Sequence, residues 1–383
     1  MLAFIGNRVI MHTSWVGLHL GDCKAMTPRV KGQVRAESEP RPPKNAGYVT
    51  GKRLPTNAEV PKKLPPARAT ATIQGRFPLP TRGTSSVSNP LPSPGSQLRA
   101  AWAAGPVALP GVFSPLVAKI AERLGFAAVY LSGGALSAGN GVPDIGLLAL
   151  TEFTQAAQNI TQATSLPLLC DADTGFGESL NAERTVKLFE AAGAAGIHLE
   201  DQEMPKRCGH LSGKSVVASE VMVAKLKAAC AARRDPNFVI VARTDAKGVY
   251  GFDDAVNRAK RYLDAGADAI FPEALESREE LERFAQALPG AVLLANMTEF
   301  GKSPNLDVKT LGQMGYRLVL FPLTAFRVAM KAAEDTLRDL LANGVQTVSI
   351  PKMQTRAELY DLLGYTGYEA RDRAYFGGAD GRE

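Results

Sequence analysis

The chain of 383 residues has few cysteines and no long apolar run. Its four cysteines lie far apart and form no CxxC pair, so the sequence contains neither a disulfide framework nor a thiolate zinc site. We therefore expect free thiols and a reducing compartment. No stretch approaches the roughly 20 apolar residues that a membrane-spanning helix needs, and we expect no membrane partner. No GxGxxG follows a predicted first strand, which argues against a dinucleotide-binding fold.

Positive charge is concentrated at the N-terminus. Residues 1–95 contain 14 Lys/Arg but only 4 Asp/Glu, together with 13 of the 25 prolines. The remainder is mildly acidic and has no basic face for nucleic acid. Stretches such as EPRPPKN sustain neither a helical nor a strand period, so we predict a disordered basic extension over 1–95. It fits an organelle-targeting peptide, an interaction tail, or sequence translated upstream of the true start, and we favour the third interpretation.

A repeated pattern of helix end, glycine and short apolar strand begins after residue 96. The glycines are Gly125, Gly193, Gly266 and Gly315. Between these segments lie the apolar runs PVAL (106–109), LPLLC (166–170), FVIVAR (238–243) and AVLLAN (291–296). Eight strand–helix units in about 250 residues predict an α/β fold of the TIM type, a (β/α)8 barrel. We place the catalytic barrel at 96–343 and a C-terminal helical arm at 344–383.

Polar side chains follow seven of the eight predicted strands. The carboxyl ends of the strands in such a barrel lie together and carry the functional groups. A single acid at a strand end is often only a helix cap, but this accumulation predicts a polar cup. Asp171, Asp173 and Glu200 are oxygen ligands of the type that Mg²⁺ prefers. Arginines near the strand ends and in the arm can bind carboxylates through two N–H groups.

The segment KRCGH at residues 206–210 carries a densely charged cysteine. Cys208 follows Lys206 and Arg207 and precedes His210 by two positions, and nearby positive charge favours a thiolate. A thiol in this setting can donate a proton to a carbanion as a general acid. His198, on a neighbouring predicted strand, fits a hydrogen-bonded core histidine better than a catalytic group.

These motifs together resemble the isocitrate lyase/phosphoenolpyruvate mutase superfamily, and within it the methylisocitrate lyases. The resemblance runs in order from about residue 97 to 376. The matching stretches are YLSGG (130–134), VPDIG (142–146), LPLLCDADTGFG (166–177), HLEDQ (198–202), KRCGH (206–210), VARTDA (241–246), FPEA (271–274), LANMTEFG (294–301), FPLTAFR (321–327) and MQTRAELY (353–360).

The resemblance implies Mg²⁺-dependent cleavage of 2-methylisocitrate, a small tricarboxylate, to pyruvate and succinate, as in the methylcitrate cycle of propionate catabolism. It implies that Asp171, Asp173 and Glu200 bind the metal. The implied catalytic residues are Cys208 as the acid, Lys206, His210 and Arg243. The implied substrate contacts are Ser132, Gly133, Gly134, Asp144, Cys208, Gly209, Arg243, Glu273, Asn296, Thr298, Arg327 and Arg356. The positions that line the methyl pocket in this family are occupied by Phe271, Leu320 and Pro322.

Two departures from the family pattern leave other substrates open. KRCGH is followed by LSGK where an arginine is expected after the histidine, and the SGG loop is about one residue shorter. A lyase or hydrolase of the same superfamily acting on isocitrate, 2,3-dimethylmalate, oxaloacetate or a phosphonate is the alternative. A protein that binds partners through its basic extension is a hypothesis of another class. The resemblance also implies a homotetramer that exchanges C-terminal helices. The bacterial-type core favours the cytoplasm, while the basic N-terminus leaves a mitochondrial address open.

Overall fold

The computed structural model of the chain describes residues 92–207, 209 and 213–376. Nearly all of the predicted N-terminal extension lies outside these residues. Each of the eight predicted strands is present. The strands are β1 (Val107–Pro110), β2 (Val129–Leu131), β3 (Leu168–Asp171), β4 (Gly196–Glu200), β5 (Val239–Thr244), β6 (Ala269–Pro272), β7 (Val292–Asn296) and β8 (Tyr316–Phe321).

Helices separate the strands and continue past the last one. Those of the barrel region are α1 (Pro94–Ala104), α2 (Pro115–Arg123), α3 (Gly133–Gly139), α4 (Leu150–Thr161), α5 (Ser179–Ala191), α6 (Ser219–Ala232), α7 (Lys247–Tyr250), α8 (Phe252–Asp264), α9 (Arg278–Ala287), α10 (Val308–Met314) and α11 (Thr324–Asn343). The C-terminal arm contains a 3₁₀ turn (Ile350–Lys352), α12 (Arg356–Leu363) and α13 (Tyr365–Tyr375).

The eight strands form one parallel sheet that curls into a barrel. Their order is β1-β8-β7-β6-β5-β4-β3-β2, so the sheet ends at β1 and β2. These two ends meet where Gly111 bridges to Tyr130 and the Val112 N–H donates to the Tyr130 carbonyl at 2.8 Å. The TIM-type fold predicted from the sequence is confirmed.

Local sequence accounts for the turns between helices and strands. Gly125, Gly193, Gly266 and Gly315 have φ values of +84°, +82°, +103° and +110°, a region that disfavours other residues. Each lies just after a helix and redirects the chain into the next strand, as predicted. The strands are buried on both faces because helices cover the outside of the sheet.

The barrel interior is packed, and α1 contributes to it. Alternate strand residues such as Val239, Val241 and Phe271 form this inner cluster together with Leu98 and Trp102 of α1. The helix is attached close to the start of β5, where Arg99 Nε donates to the Asn237 carbonyl at 2.9 Å. This end is the amino end of the strands. The sequence pattern did not predict α1.

The helix α11 differs from the other long barrel helices because none of its residues is buried. Its apolar side chains Val328, Leu337 and Leu341 are 67%, 65% and 90% exposed. In contrast, α4, α5, α6, α8 and α9 each place several residues in the core. None of the helices in the described part of the chain is both long and apolar enough to cross a bilayer.

We predict that Trp102→Ala destabilises the barrel by about 3–5 kcal/mol, because it removes a buried aromatic side chain and leaves a cavity. Urea unfolding followed by circular dichroism measures the change. Leu124→Ala, at a position that is 70% exposed, is the matched control and is expected to stay within about 0.5 kcal/mol. A loss in Trp102→Ala as small as that of the control would show that the Trp102 side chain does not stabilise the interior core.

Candidate active site

The carboxyl ends of the strands surround a cavity of about 60 Å³. Parallel strands end on the same side of the barrel, so the residues after them converge there. The lining is Tyr130, Ser132, Gly134, Asp144, Asp171, Lys206, Arg207, Gly209, Arg243, Phe271, Glu273, Asn296, Thr298, Leu320, Pro322 and Leu323. The structure therefore brings most of the residues predicted from the sequence into one place.

One wall of the cavity is the start of α3. Ser132 caps this helix, since its Oγ accepts the Ala135 N–H at 3.3 Å. The Gly133 N–H donates to Asp171 Oδ2 at 3.1 Å, and a Cβ added at Gly133 would lie only 2.7 Å from that oxygen. Gly134 faces the cavity directly. The glycine at 133 is thus required by the close approach of a carboxylate.

Four carboxylates surround the Lys206 ammonium at one side of the cavity. Lys206 Nζ lies 2.7 Å from Asp173 Oδ1 and forms a second ion pair with Asp144. The Asp173 N–H donates to Asp171 Oδ1 at 3.0 Å, which holds the Asp171 carboxylate against the backbone of this loop. Asp171, Asp173 and Glu200 are all buried. One ammonium therefore neutralises only part of the negative charge of this group.

Proton affinities reflect this crowding of charge. Burial would lower the pKa of Lys206, but Glu200, Asp173, Asp171 and Asp144 together raise it above its ordinary value. Burial and the charge of Asp171 raise the pKa of Asp173 to about 7. Burial also raises the pKa of Glu200 well above its ordinary value. Each shift shows that further positive charge would stabilise the ionised carboxylates.

The donor types of this group fit a hard divalent cation. Carboxylate oxygens are the ligands that Mg²⁺ prefers, and Glu200 Oε1 is buried without a hydrogen-bond partner in the described structure. Within the part of the chain that the structure describes, however, no three Asp, Glu, His or Cys side chains form a ready-made metal group. Lys206 instead lies between Asp144 and Asp173. The assignment of Asp171, Asp173 and Glu200 as metal ligands stays a prediction.

Arg243 is the buried cation at the centre of the cavity floor. Its Nε and Nη2 donate to the two oxygens of Asp245 at 2.9 and 3.2 Å. The same nitrogens lie 3.2 Å from Glu200 Oε2 and 3.2 Å from Glu273 Oε2, respectively. The guanidinium carbon is 5.0 Å from the centre of the Phe271 ring. Burial opposes the charge, but the carboxylates of Asp245, Glu200 and Glu273 raise the pKa of Arg243, so it stays ionised.

The part of the lining next to Arg243 combines amide, hydroxyl and apolar groups. Asn296 Nδ2 donates to Glu273 Oε2 at 3.4 Å, while Asn296 Oδ1 is buried without a hydrogen-bond partner in the described structure. Thr298 follows on the same side. The apolar part of the lining is Phe271, Leu320, Pro322 and Leu323. A ligand with both carboxylate and methyl groups suits this wall.

Seven predicted site residues are not part of the cavity lining. Three of them, Gly133, Asp173 and Glu200, each contact a residue that is. Arg327 is not part of the lining; its Nε lies 3.4 Å from Glu299 Oε2 and its side chain is 44% exposed. Arg356 is the exposed first residue of α12 and is not part of the lining either. Cys208 and His210 lie outside the described residues. The roles of these residues, like those of the predicted residues that do line the cavity, stay predictions.

Tyr130 lines the cavity although the sequence analysis did not select it. Its hydroxyl lies 2.7 Å from His198 Nε2. Burial lowers the pKa of His198 to about 4, so this imidazole is neutral near pH 7. The predicted core histidine is therefore hydrogen-bonded at Nε2, whereas Nδ1 has no hydrogen-bond partner in the described structure. Tyr130 and Ser132 are two positions apart, and this strand period is the signal that could have identified Tyr130.

Comparisons with known proteins agree with the fold and the cavity. The family profile of phosphoenolpyruvate phosphomutase matches residues 98–341. A 2-methylisocitrate lyase of Aeropyrum pernix is 53% identical over 266 residues, which cover 70% of this chain and 85% of that protein. The crystal structure of a 2,3-dimethylmalate lyase, a member of the PEP mutase/isocitrate lyase superfamily, has a TM-score of 0.71 at 32% identity and covers 77% of this chain and 99% of that one.

A further solved structure contains a metal. A phosphonopyruvate hydrolase in complex with oxalate and Mg²⁺ has a TM-score of 0.68 at 31% identity, covering 74% of this chain and 99% of that one. The family match spans β1 to β8 and thus every strand end around the cavity. The resemblance drawn from the sequence motifs is confirmed. The chain belongs to the phosphoenolpyruvate phosphomutase family and is an enzyme, a carbon–carbon lyase of the PEP mutase/isocitrate lyase superfamily.

Proposed function

We propose that the protein cleaves 2-methylisocitrate to pyruvate and succinate with the help of Mg²⁺, as a step of propionate catabolism through the methylcitrate cycle. The observation that carries the proposal is the cavity itself. It places a carboxylate group fit for a hard cation, two buried cations and an apolar wall within one small space. The name of the Aeropyrum pernix relative supports the choice of substrate.

The reaction breaks one carbon–carbon bond and moves one proton. The bond between the carbinol carbon and the adjacent methine carbon breaks as a base in the cavity takes the hydroxyl proton. The carbinol oxygen becomes the ketone of pyruvate. The bonding pair stays on the methine carbon, where the neighbouring carboxylate stabilises it, until a proton arrives and completes succinate. Catalysis therefore requires groups that stabilise negative charge at one end of the ligand and supply a proton at the other.

The described side chains provide the charge stabilisation. Arg243 and Lys206 are cations at the cavity, and each can bind a substrate carboxylate. Ser132 and the α3 backbone at Gly134 offer hydrogen bonds to the pyruvate half. Bound Mg²⁺, held by Asp171, Asp173 and Glu200, would act as a Lewis acid at the hydroxyl and carboxylate oxygens. Tyr130 is held by neutral His198, and burial raises its pKa well above the ordinary value, so it offers an uncharged hydroxyl.

We assign the proton donor to Cys208. Its neighbours in sequence, Arg207 and Gly209, line the cavity, which supports the assignment although Cys208 itself lies outside the described residues. Nearby cations stabilise the thiolate that remains after proton transfer, so a thiol in this setting is a stronger acid than an isolated one.

We predict that the purified enzyme forms equimolar pyruvate and succinate from 2-methylisocitrate, and that EDTA abolishes the reaction and Mg²⁺ restores it. Isocitrate, which lacks the methyl group that the apolar wall of Phe271, Leu320 and Pro322 can contact, should show a kcat/KM about 10–200-fold lower. 2,3-Dimethylmalate is assayed beside them because a solved relative acts on it by name. Turnover of 2,3-dimethylmalate alone would replace the proposed substrate and retain the lyase chemistry.

We predict that Cys208→Ser lowers kcat about 10²–10⁴-fold, because a hydroxyl is a far weaker acid than a thiol at this step. Cys230→Ser is the matched control, since Cys230 lies on the outside of the barrel, where its Sγ donates a hydrogen bond to the Gly266 carbonyl at 3.1 Å. Steady-state kinetics on 2-methylisocitrate with Mg²⁺ provides the measurement. Wild-type turnover in Cys208→Ser would refute the acid role.

We also propose that four chains assemble by exchanging their C-terminal helices. The exposed apolar side chains of α11 and of the arm support this, among them Leu341, Tyr368 and Tyr375. A helix whose apolar side chains are exposed is stabilised when another surface covers those side chains. The family resemblance implies that a second copy of this chain covers these apolar side chains.

We predict a tetramer of wild-type protein by size-exclusion chromatography with light scattering. Leu341→Asp, which places a charge on the apolar face of α11, should shift the protein to smaller species. Leu180→Asp on α5, at a position that is 79% exposed, is the control and should leave the tetramer intact. A monomeric wild-type protein, or equal behaviour of the two variants, would rule out assembly through α11.

A further inference from the structure

The segment between β4 and α6 carries, besides Lys206, a second lysine whose side chain is almost inaccessible to solvent. The two sides of this segment meet at its base, where Gln202 bridges to Val216 and the Glu203 N–H donates to the Ser215 carbonyl at 3.0 Å. The side chain of Lys214, just before this base, is only 4% exposed. It does not line the cavity. Its burial therefore requires another explanation than ligand contact.

Lys214 links the backbone of this segment to the barrel. Its ammonium donates to the Gly209 carbonyl at 2.5 Å and lies 2.7 Å from Asp245 Oδ1. Asp245 is in turn the principal partner of Arg243, the central cation of the cavity floor. Lys214 lies outside the cavity, yet it connects the Gly209 backbone in the cavity wall to Asp245, the residue that holds Arg243.

The Asp245 end of this link is held firmly. The Asp245 N–H donates to Asp201 Oδ1 at 2.8 Å. Asp201 is fully buried and also accepts the hydroxyls of Thr244 and Tyr262, each at 2.8 Å. Charge-assisted hydrogen bonds in a buried network of this type lose little to solvent. Lys214 is therefore tied to a residue directly after β5 that is itself held by several hydrogen bonds.

The Gly209 end lies in a narrow space. A Cβ added at Gly209 would be 2.3 Å from Glu273 Cγ and 2.5 Å from Arg243 Nη2. The backbone at this position therefore packs directly on the side chains that form the cavity floor. A small displacement of Gly209 would alter the contacts of both Arg243 and Glu273.

We propose that Lys214 is a positioning residue, which holds the Gly209 backbone against Arg243 and Glu273 and so fixes the wall of the cavity formed by Arg207 and Gly209. Its effect on turnover rests on the proposed function, whereas its anchoring of the segment does not. Lys206 and Lys214 then have separate tasks. Lys206 supplies charge inside the cavity, and Lys214 fixes the position of the backbone from outside it.

Hydrogen exchange without substrate tests the anchoring. Lys214→Met keeps the length and apolar stem of the side chain and removes the charge and the donors. We expect the peptide covering residues 203–217 to exchange about tenfold faster in this variant, with β6 and α9 unchanged. Lys214→Arg, which retains charge and N–H donors, should recover most of the protection. Lys227→Met on the exposed face of α6 is the matched control for loss of one positive charge.

Steady-state kinetics on the proposed substrate tests the consequence. We expect kcat of Lys214→Met to fall about 10–100-fold, with KM changed less than about threefold and partial recovery in Lys214→Arg. A purely structural lysine would lower the melting temperature and leave kcat per folded enzyme unchanged, and that result would overturn the proposal. Should Lys214→Met not fold, Lys214→Gln takes its place in both measurements.

The two measurements separate this inference from the proposed function. Wild-type exchange rates over residues 203–217 in a folded Lys214→Met or Lys214→Gln would overturn the anchoring, whatever the substrate. An inactive wild-type enzyme on 2-methylisocitrate would overturn the proposed function, while the exchange data would still decide whether Lys214 anchors Gly209.

Discussion

The buried guanidinium of Arg243 is the interaction on which the site depends. It contacts carboxylates that follow three neighbouring strands: Glu200 at the end of β4, Asp245 just beyond β5 and Glu273 just beyond β6. Buried charges are costly unless they are paired, and loss of one partner leaves the others uncompensated. The strand register contributes directly, because Glu200 is the β-partner of Arg243. The register of the barrel strands therefore also determines which carboxylates neutralise Arg243.

A second charge balance connects the segment after β4 to the barrel. Lys206 enters the cavity between Asp144 and Asp173, whereas Lys214 reaches Asp245 behind Arg243. Both lysines are nearly inaccessible to solvent, so each ion pair is less screened than a surface pair. The segment therefore adopts its position because acidic residues of the barrel require positive charge there. The divalent ion of the proposed function would bind some of the same carboxylates, since Asp173 is both a partner of Lys206 and a proposed metal ligand.

Much of the fold could be predicted because its signals are local. The apolar runs that form β3, β5 and β7 are buried on both faces, and the glycines that precede four of the strands adopt left-handed conformations. The cup at the strand ends followed from topology alone, since parallel strands place their carboxyl ends together. The helix α1 escaped prediction because its burial depends on the barrel interior and not on a pattern within the segment.

The residues that sequence reasoning overlooked act through contacts distant in sequence. Tyr130 resembles any inward-facing strand residue until His198, far along the chain, places an imidazole against its hydroxyl. Lys214 resembles a solvated loop lysine until Asp245 and the Gly209 carbonyl meet its ammonium. Conversely, Arg327 and Arg356 match the family motifs, yet neither side chain lines the cavity. Motif spacing identifies residue types and leaves their contacts to the tertiary structure.

In the proposed function, the reaction and the choice of substrate depend on different residues of the cavity. In the proposed reaction, bond cleavage depends on charged groups that are buried and paired with one another, so a change in any of them disturbs several others. In the proposed function, substrate choice depends on the apolar wall of Phe271, Leu320 and Pro322, where one methyl group contributes about 1–3 kcal/mol. These side chains belong to β6, β8 and the turn after it and hold no ion pair. Under that proposal, substitutions at Leu320 or Pro322 change the substrate and leave the charged floor intact, whereas one at Phe271 also removes the ring that packs against Arg243.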